Sequence, residues 1–328
     1  MRKRAVKVAL VILVVMLGLL LLSEVGLRLL LGFGNPLIYI ADEKIGYLLA
    51  PNQRTRRFGN RIEINQYSMR SRAIALQRES STLRILLLGD SIANGGWWTD
   101  QINIISEILA QKLREKKAAV EQENSASIPN PTVEVLNASA NSWGPRNELA
   151  YLERFGTFEA QVVVLLINTD DLFARAPSTW VVGRDRNYPD RKPILALAEL
   201  LSRYLLKSPP APELGLVNRD EGDLVERNLE AIKEIRHLVE QRNSHFLLAM
   251  TPLLREIGKP GPRDYELKER QRLKEFTQSQ QIFYIDFLPV FNSSQQAEKL
   301  YRDHIHLSPE GNQLVGERIS HEILNFRF

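Results

Sequence analysis

Two short segments, far apart in the chain, carry residues suited to nucleophilic chemistry. Ser91 follows an apolar run that ends in Gly89-Asp90, and Asp303 lies three residues before His306 in a loop near the end of the chain. A serine hydroxyl is a poor nucleophile until a base takes its proton, and imidazole titrates close to neutral pH. With Ser91 as nucleophile, His306 as general base and Asp303 as its orienting partner, the three can form a catalytic triad, whatever their order in the chain.

Each segment also has an ordinary structural explanation. Asp90 and Ser91 can form a turn in which their side chains satisfy backbone donors, and His304 and His306 can be loop residues with satisfied hydrogen bonds. A metal site built from Asp303, His304 and His306 is a third alternative, although no other cluster supplies the remaining ligand. The triad is favoured because both segments are present, and no metal or cofactor is expected. Three further histidines fall within helix or strand patterns and are interpreted as structural: His237, His245 and His321.

A parallel sheet must position these residues. From Leu83 onward, short apolar runs without polar alternation are separated by helical patterns, as in sheets that are covered by helices on both faces. Strands are predicted at residues 84–88, 133–136, 162–167, 245–250 and 282–285. We therefore predict an α/β/α sandwich of three layers with a five-stranded, flavodoxin-like sheet, and Ser91 at the carboxyl edge where such sheets bind ligands.

Helical periodicity supplies the outer layers. Helices are predicted at 147–155, 224–242 and 265–276, and Ser308 is expected to cap the last helix with Pro309 at its first position. One further helix should place four apolar side chains on a single face: Ile102, Ile105, Leu109 and Leu113.

The N-terminus indicates export. The chain has a net charge of +4, and four cations at its start account for all of it: Arg2, Lys3, Arg4 and Lys7. An unbroken apolar run, residues 8–22, follows, so residues 1–31 are predicted to be a basic cytoplasmic tail and a membrane anchor. A cleaved signal peptide is the alternative, because the run is short for a full span. Either way, the rest of the chain is expected in the periplasm or outside the cell.

Two further divisions are expected downstream. Residues 32–80 are predicted to form a neck with a hairpin around Gly59-Asn60. The final part of the neck, residues 65–81, is expected to lie over the main domain. Residues 81–328 are predicted to form that domain, with a Pro- and Arg-rich insertion at 171–221 that helps to shape a binding site.

Gly89-Asp90-Ser91 near the start of this domain and Asp303-x-x-His306 near its end resemble the SGNH (GDSL-type) hydrolase family over roughly residues 81–328. The resemblance implies a serine esterase whose oxyanion hole uses the backbone N–H groups of Ser91 and Ser142, the latter where the family has a glycine. It also places Asp170, within Asn168-Thr169-Asp170-Asp171, where the family has an asparagine that donates an N–H.

Asp170 is the main departure from the family pattern, because an ionised carboxylate has no proton to donate and repels an oxyanion. Three explanations stay open. Asp170 is protonated through burial and donates its O–H, Asn168 replaces it through a shifted loop, or the protein is a weak or different enzyme.

Three of the four tryptophans lie close in sequence to the residues of the proposed oxyanion hole. Trp97 and Trp98 follow Ser91, and Trp143 follows Ser142. They could line a cleft and stack on sugar rings, or they could close the core of the domain. Both interpretations are carried forward.

The sequence thus predicts an esterase that acts on an acylated envelope glycan or lipid. Transfer of the acyl group to a polysaccharide, or a non-catalytic role in glycan binding or envelope assembly with partner proteins, are the alternatives. The chain has no cysteine, which excludes disulfides and thiol nucleophiles. It has no Gly-x-Ser-x-Gly elbow or Walker loop, and its positive charge is confined to the tail, so nucleic acid is not an expected partner.

Overall fold

The structure is a computed structural model that describes residues 2–123, 132–206, 220 and 222–326. It begins with the long helix α1 (Arg2–Gly26), which continues through a π-helical turn, Leu27–Leu31. Within these 30 residues, an 18-residue stretch has a mean hydropathy of 3.0 and is not buried, so the length and composition of the helix suffice to cross a membrane. A signal sequence close to an N-terminus has the same properties.

Two antiparallel hairpins follow α1. The second pairs β3 (Gln53–Arg57) with β4 (Asn60–Ile64), which confirms the hairpin predicted around Gly59-Asn60. The first, β1 (Tyr39–Asp42) with β2 (Gly46–Leu49), was not predicted, because strands of four residues give little periodicity. Both hairpins contribute to the core that covers one face of the main sheet, through buried side chains such as Tyr47. The neck is therefore packed against the domain and is not a free spacer.

The central sheet has five parallel strands, as predicted. They are β5 (Leu83–Gly89), β6 (Val133–Ser139), β7 (Val162–Asn168), β8 (His245–Thr251) and β9 (Phe283–Asp286). Their order in the sheet is β6-β5-β7-β8-β9. Because alternate side chains of a strand point to opposite faces, Leu86 and Leu88 pack into one core cluster, and Ile85 and Leu87 into the other.

Helices cover both faces and complete the three layers. One face is covered by α3 (Ile105–Glu123), α8 (Phe287–Asn292) and α9 (Pro309–Ile323). The other is covered by α4 (Pro145–Phe155), α6 (Leu224–Glu240) and α7 (Asp264–Ser279). The predicted helices are confirmed to within three residues at their ends, and Ser308 caps α9 by accepting the N–H of Gly311 at 3.1 Å.

The prediction for the apolar face of α3 is wrong at Ile102. Ile105, Leu109 and Leu113 are buried, but Ile102 is exposed. The Asp100 carboxylate accepts the Ile102 N–H and caps a separate 3₁₀ turn. Since α3 begins only at Ile105, Ile102 lies off its buried face.

The predicted insertion after β7 contains one further helix among its described residues, α5 (Ala196–Tyr204). Residues 207–219 and 221 of this insertion lie outside the part that the structure describes. The division of the chain at residues 31, 80, 171 and 221 stays a prediction.

Candidate active site

The structure brings the three predicted triad side chains together. Ser91 is the first residue of a short helix, α2 (Ser91–Asn94), directly after β5, and Asp90 caps this helix by accepting the Ile92 N–H at 2.8 Å. The Ser91 Oγ lies 3.1 Å from His306 Nε2, and His306 Nδ1 lies 2.9 Å from Asp303 Oδ2. Both distances fit hydrogen bonds, so a continuous path for a proton runs from the hydroxyl to the imidazole.

The loop that carries Asp303 and His306 holds the imidazole in one orientation. Burial raises the pKa of Asp303, but the N–H groups of His306 and Ile305, together with the His306 ring, outweigh it and lower that pKa below its usual value. An ionised Asp303 accepts a hydrogen bond from Nδ1–H of His306, which leaves Nε2 as the acceptor for the Ser91 hydroxyl.

Trp97 and Trp98 lie beside the triad and line the same cleft as Ser91 and His306. The Trp98 ring packs against the His306 ring with centroids 4.4 Å apart. The Arg302 guanidinium carbon lies over the Trp98 ring, 4.8 Å from its centroid. Gly96 has a φ of 51°, and a Cβ on it would lie 2.4 Å from the Trp98 ring, so only glycine suits this position. The two tryptophans therefore form a wall that packs against the His306 imidazole.

The expectation that Trp143 lines the cleft is wrong. Its side chain is buried in the core, where Nε1 donates to the Tyr47 backbone oxygen at 3.1 Å and the ring packs against Tyr151. The alternative interpretation, a tryptophan that closes the core, describes this residue, and it leaves no ring surface for a ligand.

Ser142 stands at the edge of the cleft with its backbone in the left-handed region. Its φ is 58°, which explains why a glycine suits this position in the family that the sequence resembles. Its Oγ accepts a hydrogen bond from the Tyr188 hydroxyl at 2.8 Å. Its N–H has no hydrogen-bond acceptor within the described residues, so this donor is available to a ligand.

The end of β7 is a closed hydrogen-bond network. The Asn168 side chain donates to Asp90 Oδ2 and to Asp171 Oδ2, both at 2.9 Å, and its oxygen accepts the Asp170 N–H. Both N–H groups of this amide are thereby used, which removes the support for Asn168 as the replacement donor. Asp170 is exposed at the surface. Partial desolvation still raises the pKa of its carboxyl, partly offset by the charge of Arg255.

Comparison with known proteins decides the family. The sequence profile of the GDSL-like lipase/acylhydrolase family matches residues 87–314, which is more than half of the chain and includes Ser91, Asp303 and His306. The chain belongs to the GDSL-like lipase/acylhydrolase family. No curated protein has sufficient sequence similarity to count as a relative.

The solved structures to which this chain is similar are distant in sequence. Axe2, an acetylxylan esterase from Geobacillus stearothermophilus, is 13% identical with a TM-score of 0.46; the match covers 74% of this chain and 94% of that one. A lipase/acylhydrolase from Enterococcus faecalis is 17% identical with a TM-score of 0.42; the match covers 74% and 95%.

Three buried acids lie close to one another beside Ser91 in this GDSL-like chain: Asp90, Glu148 and Asp171. Burial raises the pKa of Asp90, while the Ile92 N–H and His306 oppose the shift. Burial and the negative charges of Asp90 and Glu148 raise the pKa of Asp171 well above its usual value. Burial and the negative charge of Asp90 likewise raise the pKa of Glu148 well above its usual value. Neither oxygen of the Glu148 carboxyl has a hydrogen-bond partner among the described atoms. A neutral Glu148 and Asp171 place less negative charge near Ser91.

The cleft has a volume of about 280 Å³ and draws its walls from three parts of the chain. Ser91 and His306 lie in it, Thr55 and Arg57 come from the second hairpin, and Tyr204 comes from the insertion. Residues of the neck and the insertion were not predicted individually, because no spacing or motif marks them. The Pro- and Arg-rich composition of the insertion was the one signal that pointed to this region.

A buried arginine, Arg70, fixes the loop after Ser91 and was also missed. Its guanidinium donates to the carbonyl oxygens of Asn94, Gly96 and Thr99, each at 2.5 Å. Burial lowers the pKa of Arg70 to about 9. These bonds hold the loop that carries Trp97 and Trp98, and hence the wall beside the imidazole.

Proposed function

We propose that this GDSL-like acyl hydrolase is a serine esterase that is held at the membrane by α1 and acts on an acylated glycan or lipid of the cell envelope. The observation that carries the proposal is the chain of hydrogen-bond distances from Ser91 through His306 to Asp303 at the wall of an open cleft. This arrangement is suited to acyl transfer through a covalent intermediate.

In the proposed mechanism, the Ser91 oxygen attacks the carbonyl carbon of the ester while His306 Nε2 takes the hydroxyl proton. The tetrahedral intermediate collapses when His306 returns that proton to the alkoxide of the departing alcohol, which leaves an acyl group on Ser91. Water then attacks the acyl group while His306 takes one of its protons. The second intermediate collapses when His306 passes this proton to the Ser91 oxygen, and the carboxylic acid leaves. Asp303 holds the imidazole and stabilises its positive charge in both steps.

The oxyanion of this mechanism needs donors at the cleft. We assign the role to the N–H groups of Ser91 and Ser142, with the O–H of a protonated Asp170 as a third donor. The available Ser142 N–H at the cleft supports the first assignment. The raised pKa of Asp170 supports the assignment of its O–H as the third donor.

Hydrolysis of p-nitrophenyl acetate by the purified full chain in detergent tests the proposal. The wild type should release p-nitrophenol well above the rate of the detergent buffer, and Ser91→Ala should fall to that background. A wild type without activity on short-chain p-nitrophenyl esters would favour the non-catalytic alternative of glycan binding or assembly.

A further inference from the structure

The helix α5 exposes its apolar side. Its outward-facing positions include Ala198 and Leu201, three residues apart, and Leu205 and Leu206 continue the surface after the helix ends. Ile194, just before α5, is 92% exposed. A helix on the surface of a soluble protein normally turns such a stripe toward the core.

The opposite side of α5 is charged and buried. Glu199 is 6% exposed, and its carboxylate pairs with Arg57 at 3.0 Å and with Arg203 at 2.9 Å. It also accepts the Gly34 N–H at 2.6 Å. These bonds lock the orientation of α5, so the apolar side cannot rotate inward without separating a buried ion pair.

The outer end of α1 fixes the start of α5. The Glu24 carboxylate accepts the N–H groups of Ala196 at 2.8 Å and Leu197 at 2.9 Å, and the Arg28 guanidinium donates to the Ile194 oxygen at 2.6 Å. The exposed side of α5 therefore lies next to the π-helical turn Leu27–Leu31, in which Leu29 and Leu30 are also exposed.

The length of α1 sets the level of α5 relative to a bilayer. At a rise of about 1.5 Å per residue, Glu24 lies roughly 25 Å from Lys7 along the helix, and Leu31 lies roughly 36 Å from it. A hydrocarbon core of about 30 Å that begins near Lys7 ends between these two residues. That is the level at which Glu24 and Arg28 hold Ile194 and the start of α5.

The cleft of the active site reaches the same place. Arg203 and Tyr204, the last residues of α5, line it together with Pro36 and Leu37, which follow the anchor. Phe58, at the tip of the second hairpin, is exposed, donates its N–H to the Leu31 oxygen and packs its ring against Trp97. Apolar side chains thus connect the end of the anchor with the wall beside Ser91.

We infer that α5, with Ile194, Leu205 and Leu206, lies in the outer interface of the membrane and that the cleft takes its ester from a lipid. The inference rests on the proposed function for the reaction and for the anchoring role of α1. The inferred substrate is a lipid-borne ester, whose acyl linkage reaches Ser91 while the rest of the molecule stays in the bilayer. Apolar side chains at this depth gain from contact with the acyl region, as in other interfacial helices.

Labelling at single cysteines tests the position of α5, because the chain has no native cysteine. Ile194→Cys and Leu205→Cys would be spin-labelled in the full chain and reconstituted in vesicles of phosphatidylethanolamine and phosphatidylglycerol. Leu76→Cys is the matched control, since Leu76 is an exposed leucine whose oxygen accepts a hydrogen bond from Arg84 at the amino end of β5, away from the Ser91 end. Labels at 194 and 205 should be several-fold more accessible to oxygen than to a water-soluble nickel complex, and the label at 76 should show the reverse. Labels at 194 and 205 that match the label at 76 would overturn the inference.

Activity in the same vesicles tests the substrate class. Ile194→Glu combined with Leu205→Glu should lower hydrolysis of a vesicle-embedded long-chain fluorogenic ester about 10-fold and leave p-nitrophenyl acetate hydrolysis within twofold. Equal rates of wild type and variant on the embedded ester would overturn the lipid assignment. A wild type that hydrolyses neither ester would refute the proposed function, whereas the label positions report on α5 independently of activity.

Discussion

The carboxyl ends of β5 and β7 lie side by side in the sheet, yet they are built for different tasks. At the end of β5, Ser91 faces an open cleft and its hydroxyl meets the His306 imidazole at 3.1 Å. At the end of β7, the side-chain amide of Asn168 is fully used by Asp90 and Asp171. The first end leaves a hydroxyl open to the cleft, whereas the second uses its side chains in internal hydrogen bonds, and the 2.9 Å bond from Asn168 to Asp90 joins them.

This difference shows how a site can contain several acids and still suit an anionic intermediate. The ionised acid, Asp303, lies behind the imidazole, where its charge stabilises the protonated base. Of the acids after β7, Asp171 is buried and Asp170 is exposed. Desolvation raises the pKa of both carboxyls. A neutral carboxyl adds no repulsion to an oxyanion and can donate a hydrogen bond.

The largest expected effect concerns the reactive end. His306→Ala should lower kcat/KM for p-nitrophenyl acetate by about 10³-fold or more, because the Ser91 hydroxyl loses its base. His304→Ala is the matched control, since His304 is an exposed histidine two residues away in the same loop. Its rate should stay within twofold of wild type. Similar losses in both variants would assign the effect to the loop and not to the base.

A smaller effect is expected at Asp170. If its protonated carboxyl donates to the oxyanion, esterase activity should fall as pH rises through its raised pKa, by about 10-fold or more. Asp170→Asn keeps a donor at every pH, so it should match wild type at low pH and lose this decline. The pH–rate profiles of both proteins provide the measurement, with the exposed Asp264→Asn as control.

A flat wild-type profile from pH 6 to about 9 with measurable activity would contradict a donor role for Asp170. A 10-fold gain in Asp170→Asn across this range would show instead that an ionised Asp170 is tolerated at a cost in rate. Either outcome would remove the native Asp170 from the donors to the oxyanion.

The supporting end also predicts a pH dependence of stability. Burial raises the pKa of Glu148 in the folded state, so the folded chain keeps a proton that the unfolded chain loses above about pH 4.3. The free energy of unfolding should therefore fall as pH rises toward the folded pKa, by up to about 1.4 kcal/mol per pH unit from this group. Glu148→Gln should remove that part of the decline.

Denaturant unfolding of the full chain in detergent, followed by tryptophan fluorescence at several pH values, measures this effect. All four tryptophans lie downstream of α1 and so report on the domain. Glu153→Gln, at an exposed position of the same helix, should leave the pH dependence unchanged. Parallel curves for wild type and Glu148→Gln would show that Glu148 is ionised in the folded protein.

The sequence was most informative where one local pattern determines the outcome. The apolar runs predicted the five strands, the Ser308-Pro309 pair predicted the start of α9, and the two short motifs predicted which side chains meet near Ser91. The first hairpin and α5 were missed because their stability comes from tertiary contacts, such as the pairing of Glu199 with Arg57. Periodicity contains no information on such partners.

Two individual errors have the same origin. The composition around Ser142 could not show that Trp143 turns into the core and bonds the Tyr47 backbone, because that partner lies in the unpredicted hairpin. Likewise, the resemblance placed Asp170 by alignment of a motif, but only the structure shows that the Asn168 amide beside it is already occupied. Motifs predict residue types at a site, whereas neighbours from distant segments decide what each residue does.

Covalent labelling of the full chain with a fluorophosphonate probe, followed by mass spectrometry of its peptides, tests the central claim most directly. The account predicts a single modified residue, Ser91, no labelling in Ser91→Ala, and labelling slowed by several orders of magnitude in His306→Ala. Labelling that persists in Ser91→Ala, or that forms at equal rates with and without His306, would contradict the assignment of the triad.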